Sequence, residues 1–317
     1  MANRTTFLTG PVQITHRSLT HYSDDGQPAT LTLETADFDV GADGLGILDK
    51  RPNDCVARLS FTPDGRITPA TAANGFYYPF SLSHGASVFT STDLPAVILP
   101  WNNQKKWTLA AAAVTKPPTI TLRAGAKMFG AVEITGLIGT AGSWGSAVAA
   151  ASNTGVASHS FSAADIVSRS WLLNWDPDAE TPILEDVDSV NGWTIEPTLQ
   201  LKQIQTDAKG TMDYRITGQG MRLTGQALLT QQQLETIAGT GDGILSSGRG
   251  AGREDFLLRL VCEDGVNLIE FPKAVVSVGA EMEFGSTATH VCRKITFDSV
   301  RSFSAGVALP LIAFDTV

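Results

Sequence analysis

Five histidines, His16, His21, His84, His159 and His290, are the side chains best suited to proton transfer or metal binding near neutral pH. No two share the spacing of ligands on one helix face, and no His-Glu-x-x-His occurs, so they read as packed or solvated histidines. Three cysteines, Cys55, Cys262 and Cys292, are odd in number and far apart, which suits neither a disulfide framework nor a zinc site and fits a reducing compartment. The run Asp39 to Gly44, DVGADG, lacks the alternating acids and the later Glu of a calcium loop and reads as a turn. GRGAG lacks the Lys-Ser/Thr of a phosphate loop, and GSWGS at Gly142 to Ser146 has Trp144 where a nucleophile elbow needs Ser. The acidic pairs Asp24-Asp25 and Glu254-Asp255 sit among turn residues and read as solvated. Four of six tryptophans (Trp144, Trp171, Trp175, Trp193) gather in one region and suit packing better than sugar stacking. No catalytic, metal-binding or cofactor-binding residue is assigned, and the expectation is a non-enzymatic building block without a cofactor.

The elements that would hold such residues are strands. Apolar runs are short, Thr, Val, Ile and Gly are scattered throughout, and hydrophobic residues make up 43% of 317, which together indicate a mainly β chain with about two domains. No window approaches the roughly 18 apolar residues of a membrane-spanning helix. The start, MANRTTFLTGPVQ, has no apolar core of a secretory signal. A net charge of −9 opposes tight phosphate binding. In QPATLTLETADFDV, Leu31, Leu33 and Thr35 alternate with Thr32, Glu34 and Ala36; EPTLQLKQI places Leu199 and Leu201 on one side. CVARLSF and GMRLTGQALL read as the returning strands of two long hairpins. Their tips are expected near Asp49 to Asp54 and near Thr217 to Gly220. Ser162 and Asp165 form a weak capping box for a short helix from Ala163 to about Leu172. TQQQLETIAGT predicts a helix capped by Thr230 and ended by Gly239, whereas TPDGRITPATAANG, with two prolines and two glycines, predicts a short or absent one.

The chain also repeats itself. ADGLGILDKRPNDCVARLSF (Ala42 to Phe61) aligns with TDAKGTMDYRITGQGMRLTG (Thr206 to Gly225) at an offset of 164 residues, matching Asp43 to Asp207, Gly46 to Gly210, Asp49 to Asp213, Arg51 to Arg215 and Arg58 to Arg222. Leu94 to Leu122 aligns with Phe256 to Phe284 at an offset of 162 residues, and Val132, Ile134 and Leu137 align with Ile295, Phe297 and Val300 at an offset of 163. Asn102-Asn103 and Asp264-Gly265 place a turn at matching points. Two tandem homologous β-sandwich or barrel domains follow, at residues 1–138 and 180–317. Residues 139–179 form a Gly/Ala/Ser-rich linker with a short helix. Long half-polar hairpins have edges that favour a partner, a first indication of assembly.

The pattern G-x-x-D-Y-R-x-T, a polar hairpin, a capped helix and then an F-P-K-A strand (Gln203 to Gly239, Leu268 to Gly285) resembles the tail tube proteins of long-tailed bacteriophages. The likeness covers residues 180–317, and reaches residues 1–138 through the repeat. The first copy departs from it, with Pro52 in place of Ile216 and LAAA in place of FPKA. The resemblance implies a β-sandwich flanked by a helix, stacked as rings around a channel. Two fused copies imply a trimer ring with pseudo-sixfold symmetry. It also implies a virion tail location with assembly in the host cytoplasm. The implied partners are other copies of the chain, the tape-measure protein, tail-tip and terminator proteins, and viral DNA passing without sequence-specific contact. Residues 1–138 carry 11 basic and 11 acidic side chains, and residues 180–317 carry 11 and 18. On this reading the strands near Thr32 to Val40 and Leu199 to Thr206 line the lumen, with Glu34, Asp37 and Asp39 as lumen acids. Asp49, Arg51, Asp213 and Arg215 are inter-subunit or inter-ring contacts. The alternatives are another β-rich virion part, such as a distal tail ring or capsid decoration protein, and a β-sandwich adhesin.

Overall fold

A computed structural model describes residues 4–8, 12–24, 27–42, 46–89, 96–100, 105–137, 148–152, 169–180, 182–206, 210–230, 233, 256–276, 290–301, 303–304, 307–308 and 311–316. The chain is mainly β. In order come β1 (Arg4–Leu8), β2 (Val12–His16), β3 (Leu19–Tyr22), β4 (Ala29–Ala42) and β5 (Gly46–Phe61). A one-turn helix α1 (Ile67–Thr71) and a 3-10 turn (Tyr78–Ser81) precede β6 (Ala96–Pro100), β7 (Lys105–Leu109), β8 (Ala111–Lys116), β9 (Ile120–Leu122), β10 (Val132–Leu137) and β11 (Val148–Ser152). Then follow β12 (Trp171–Trp175), β13 (Leu184–Val187), β14 (Ser189–Thr206), β15 (Gly210–Thr230), β16 (Phe256–Cys262) and β17 (Asn267–Val276). The last are β18 (His290–Ser299), β19 (Phe303–Ser304), β20 (Val307–Ala308) and β21 (Ala313–Thr316).

The chain divides into two compact units that are not contiguous halves. The first comprises Met1–Pro118, Ala131–Ser162 and Leu199–Gly218; the second comprises Thr119–Gly130, Ala163–Thr198 and Gln219–Val317. The first unit therefore includes the outer end of the β14–β15 hairpin.

Among the described residues the first unit holds two five-stranded antiparallel sheets, β1-β4-β5-β10-β8 and β11-β7-β6-β2-β3. Their inner faces supply a core that includes Ile14, Leu59, Phe61, Ile98, Leu109, Val114 and Ile134, each 2% exposed or less. Each such side chain contributes about 1.5–3 kcal/mol by leaving water. The chain crosses from one sheet to the other at Ala110, between β7 and β8. Gly136 leaves room there for Leu109, whose Cβ would lie 3.0 Å from a side chain at that position. His16 Nε2 lies 3.0 Å from the Ala112 carbonyl oxygen, joining β2 to β8. The registers include Ile14↔Ile98, Ile98↔Trp107, Leu59↔Ile134 and Ile134↔Val114.

The second unit is organised on a nine-stranded sheet, β13-β12-β16-β17-β18-β15-β14-β9, with β21 also on β17. Its registers include Leu173↔Leu260, Leu260↔Ile269, Leu223↔Phe297, Val276↔Phe297 and Phe314↔Ile269. Trp175 and Phe297 meet edge to face at 5.2 Å in the core. β9 comes from the earlier half of the chain and pairs β14 through Trp193↔Leu122 and Ile195↔Ile120.

Several expectations change. The hairpin turns lie between Ala42 and Gly46 and between Thr206 and Gly210. Asp49 to Asp54 and Thr217 to Gly220 run inside β5 and β15 instead, because strand pairing along a long hairpin overrides isolated Asn, Gly and Pro signals. Trp171 and Leu172, expected as the end of a helix, begin β12, where their backbone pairs Cys262 and Val261. The rest of that predicted helix, 163–168, lies outside the described residues. The stretch expected as a linker contributes β11, paired to β7 through Ala150↔Trp107. Of the helix expected after Thr230 only its cap is described. Gln233 N donates to Thr230 Oγ1 at 3.2 Å and Thr230 N donates to Gln233 Oε1 at 2.9 Å, a reciprocal capping box.

Candidate functional site

The histidines are structural where described. His16 and His21 are buried, and His21 stacks on Phe76 with ring centroids 4.1 Å apart. Burial depresses their pKa values to about 4 and about 3, so both are neutral imidazoles at pH 7. His84 is exposed, with Nε2 3.1 Å from the Thr217 carbonyl oxygen. Burial pushes the Cys262 thiol up to about 11, away from thiolate chemistry. Among the described residues, no group of three or more His, Cys, Asp and Glu side chains is placed to hold a metal ion. No described helix is long and apolar enough to cross a membrane.

The feature that stands out is the outer end of the β14–β15 hairpin. Alternation puts Leu199 and Leu201 of β14 and Tyr214 and Ile216 of β15 in one apolar cluster with Val56, Val88, Ala113 and Leu137. Tyr214 and Ile216 are 6% and 0% exposed. The loop after the 3-10 turn adds itself to β15 as a short extra strand. Gly85 N donates to the Ile216 carbonyl at 2.8 Å, Ile216 N to Ala86 at 3.0 Å, and Val88 N to Tyr214 at 3.0 Å. Gly85 takes φ +81°, a left-handed conformation suited to glycine at that bend. Three backbone hydrogen bonds at about 1 kcal/mol each, with Ile216 buried at about 1.5–3, hold this end down. The other hairpin face is polar: Gln200, Lys202, Arg215 and Thr217 are exposed.

The predicted contact residues Asp213 and Arg215 lie at this site. Ser87 Oγ donates to Asp213 Oδ1, and Arg215 Nε donates to Asp213 Oδ2 at 3.2 Å. Asp213 is thus tied within its own chain, while the Arg215 side chain stays 58% exposed. Nothing in the chain's spacing signals Ser87, 126 positions away, as the partner of Asp213. Asp49 and Arg51 stand on β5 opposite Val40 and Phe38; their side chains lie outside the described ones.

Of the predicted lumen acids, Glu34 is 3.0 Å from Arg58 Nε, and Arg58 Nη1 donates to Glu133 at 2.9 Å. Thr115 donates to the same Glu133 oxygen at 3.0 Å and lies 2.7 Å from the Thr135 hydroxyl. Burial works against the Arg58 charge, but Glu34 and Glu133 outweigh it and hold its pKa above the ordinary guanidinium value. In this ladder across β4, β5, β10 and β8 the single Arg58 charge is shared by two carboxylates, which leaves a net of −1. Asp37 and Asp39 stand opposite Pro52 and Lys50 in the register, and their side chains lie outside the described ones.

Among the described residues the two long hairpins have strands that are only partly covered. β1 covers β4 only from Ala29 to Leu33, and β9 covers β14 only from Trp193 to Ile195. Such edges are templates for pairing with another chain. No protein-family model and no curated protein sequence matches this chain.

Proposed function

We propose that this chain is a structural virion subunit, a duplicated tail tube protein whose copies form pseudo-hexameric trimer rings stacked around a DNA channel. The observation that carries the reading is the repetition of strand register. Ile98↔Trp107 recurs as Leu260↔Ile269, Leu59↔Ile134 as Leu223↔Phe297, and Ile134↔Val114 as Phe297↔Val276. The two hairpin turns, after Ala42 and after Thr206, recur at the 164-position offset of the sequence repeat. Ala110 at the first sheet-to-sheet corner has Pro272 as its counterpart. Chance likeness between two β segments does not reproduce pairing partners across five strands, so a tandem duplication of one β-sandwich domain is the simpler account.

The uncovered outer parts of β4 and β14 support ring assembly, because joining them to neighbouring copies would remove the unpaired backbone groups. The hairpins' polar faces suit a watery bore. An acidic wall repels phosphate and lets the genome slide, while the tape-measure protein fills the bore earlier and tail-tip and terminator proteins close its ends. The chain needs no cofactor and performs no catalysis in this role.

Negative-stain microscopy of the purified protein, with its mass from light scattering, tests the reading. Ring stacks or tubes of uniform bore are expected. A monomer at every concentration, salt and temperature tried overturns it.

A further inference from the structure

In the first unit, the end of the β14–β15 hairpin covers a sheet face on which Leu137 is 3% exposed. By register, the second unit places Val300 where the first has Leu137, Val275 where it has Ala113, and Gly220 where it has Val56. That second face is less covered: Val300 is 37% exposed, and Val275 and Gly220 are half-buried. The Arg222 side chain, counterpart of Arg58, is 54% exposed against 30% for Arg58.

We infer that this less covered face is the seat for the end of the β4–β5 hairpin, residues 35–54, of a second copy of the chain. Three observations carry the occupant. First, the docking already made by 199–218 is its template, and residues 35–54 are the repeat counterpart of that segment, ending in a turn at the equivalent place. Second, the charges match. Residues 35–54 hold five acids (Asp37, Asp39, Asp43, Asp49, Asp54) and two bases (Lys50, Arg51), a net of −3, whereas 199–218 holds two acids and three bases, a net of +1. The strands and turn that meet at Val300 carry Arg222, Lys273 and Arg301 against Asp298, which pairs Arg222 at 2.7 Å, and Glu270, a net of +1; Val300 N donates to the Lys273 carbonyl at 2.9 Å. Third, the polarity matches. Thr35, Asp37, Lys50 and Pro52 replace Leu199, Leu201, Tyr214 and Ile216, and Gly220 replaces Val56 on the receiving side. The occupant is less apolar than its counterpart, so the contact between copies is weaker than the one within a chain. Each copy then offers a hairpin and accepts one, a heterologous contact that closes into a ring when the rotation permits. The inference rests on the ring reading above and names the contact that builds it.

Hydrogen exchange on assembled and unassembled wild-type protein, with sedimentation and microscopy of Val300→Glu and Arg222→Glu, tests it. Assembly is expected to protect residues 35–54 and 296–301 together. Both variants are expected to lose assembly, with melting temperatures shifted by less than about 3 °C, since both sites are exposed. Combining Arg222→Glu with Asp37→Arg and Asp39→Arg is expected to restore it. Wild type that assembles while both variants assemble equally well, or protection of only one of the two segments, overturns the seat and leaves the rings standing. Wild type that never assembles overturns both.

Discussion

Gly225 and Trp193 offer a sharp test of the proposed duplication. A Cβ on Gly225 would lie 2.2 Å from Trp193 Cε3 and 2.7 Å from Cζ3, so β15 carries no side chain there because β14 fills the space with indole. Trp193 is fully buried, and its N–H donates to the Trp171 carbonyl at 3.0 Å. The counterparts 164 positions earlier are Ala29 on β4 and Phe61 on β5, both buried beside the Thr30↔Ser60 pair. On the proposed duplication, the bulky side chain sits on the opposite strand of the equivalent pair. Trp193→Ala alone should cost about 3–5 kcal/mol for the cavity and about 1 more for the indole hydrogen bond. Gly225→Phe alone forces two rings into one volume and should exceed about 4 kcal/mol. The double variant rebuilds the Ala29/Phe61 arrangement, and its cost should fall short of the summed singles by at least about 2 kcal/mol. Guanidinium unfolding followed by far-ultraviolet circular dichroism measures all four proteins without relying on tryptophan emission. Costs that add to within about 0.5 kcal/mol would refute the claim that the two positions share one packing volume.

Further outcomes are expected. His16 and His21 have folded pKa values below their unfolded value, so the unfolded chain binds more protons in acid. Stability is unaffected above about pH 6.5 and falls as pH drops toward 4, by about 4 kcal/mol in total at pH 5; melting curves from pH 7 to 4.5 check this, and replacing both histidines with Gln should flatten the dependence. Ile216→Ala should cost about 2–4 kcal/mol locally and release the amides of Gly85, Val88 and Ile216 in hydrogen exchange, while those of β16 and β17 stay protected. Arg215→Glu should leave the monomer's melting nearly unchanged, because the side chain is 58% exposed, yet block tube formation if it meets a neighbouring copy; normal tubes would remove Arg215 from the interface. Gly192→Ala should destabilise the second unit by more than about 1 kcal/mol, since φ is +80° and its Cβ would lie 2.5 Å from the Leu122 carbonyl oxygen.

Local chemistry made the strands, their faces and the repeat legible. Two-residue alternation is set by the backbone itself, so Leu31 and Leu59 announce the core face and Leu199 and Leu201 the side of β14 that packs. The Thr230 cap was readable because a capping residue acts within one turn, whereas its partner Gln233 came from the structure. Where a turn falls within a long hairpin was not, since pairing across many residues outweighs a single Asn or Gly; Asn53 and Gly218 stand inside strands for that reason. The residues of the candidate site were visible, but their partners were not. Asp213 meets Ser87, Tyr214 and Ile216 meet Val56 and Leu137, and Glu34 shares Arg58 with Glu133, all between residues far apart in the chain. Sequence alone determined that two similar β hairpins exist and which face of each is apolar. Only the tertiary structure decided that the apolar end of the second hairpin is buried in the first unit while the matching face of the second unit stays less covered. That choice depends on which surfaces meet, a long-range packing energy that no local pattern encodes.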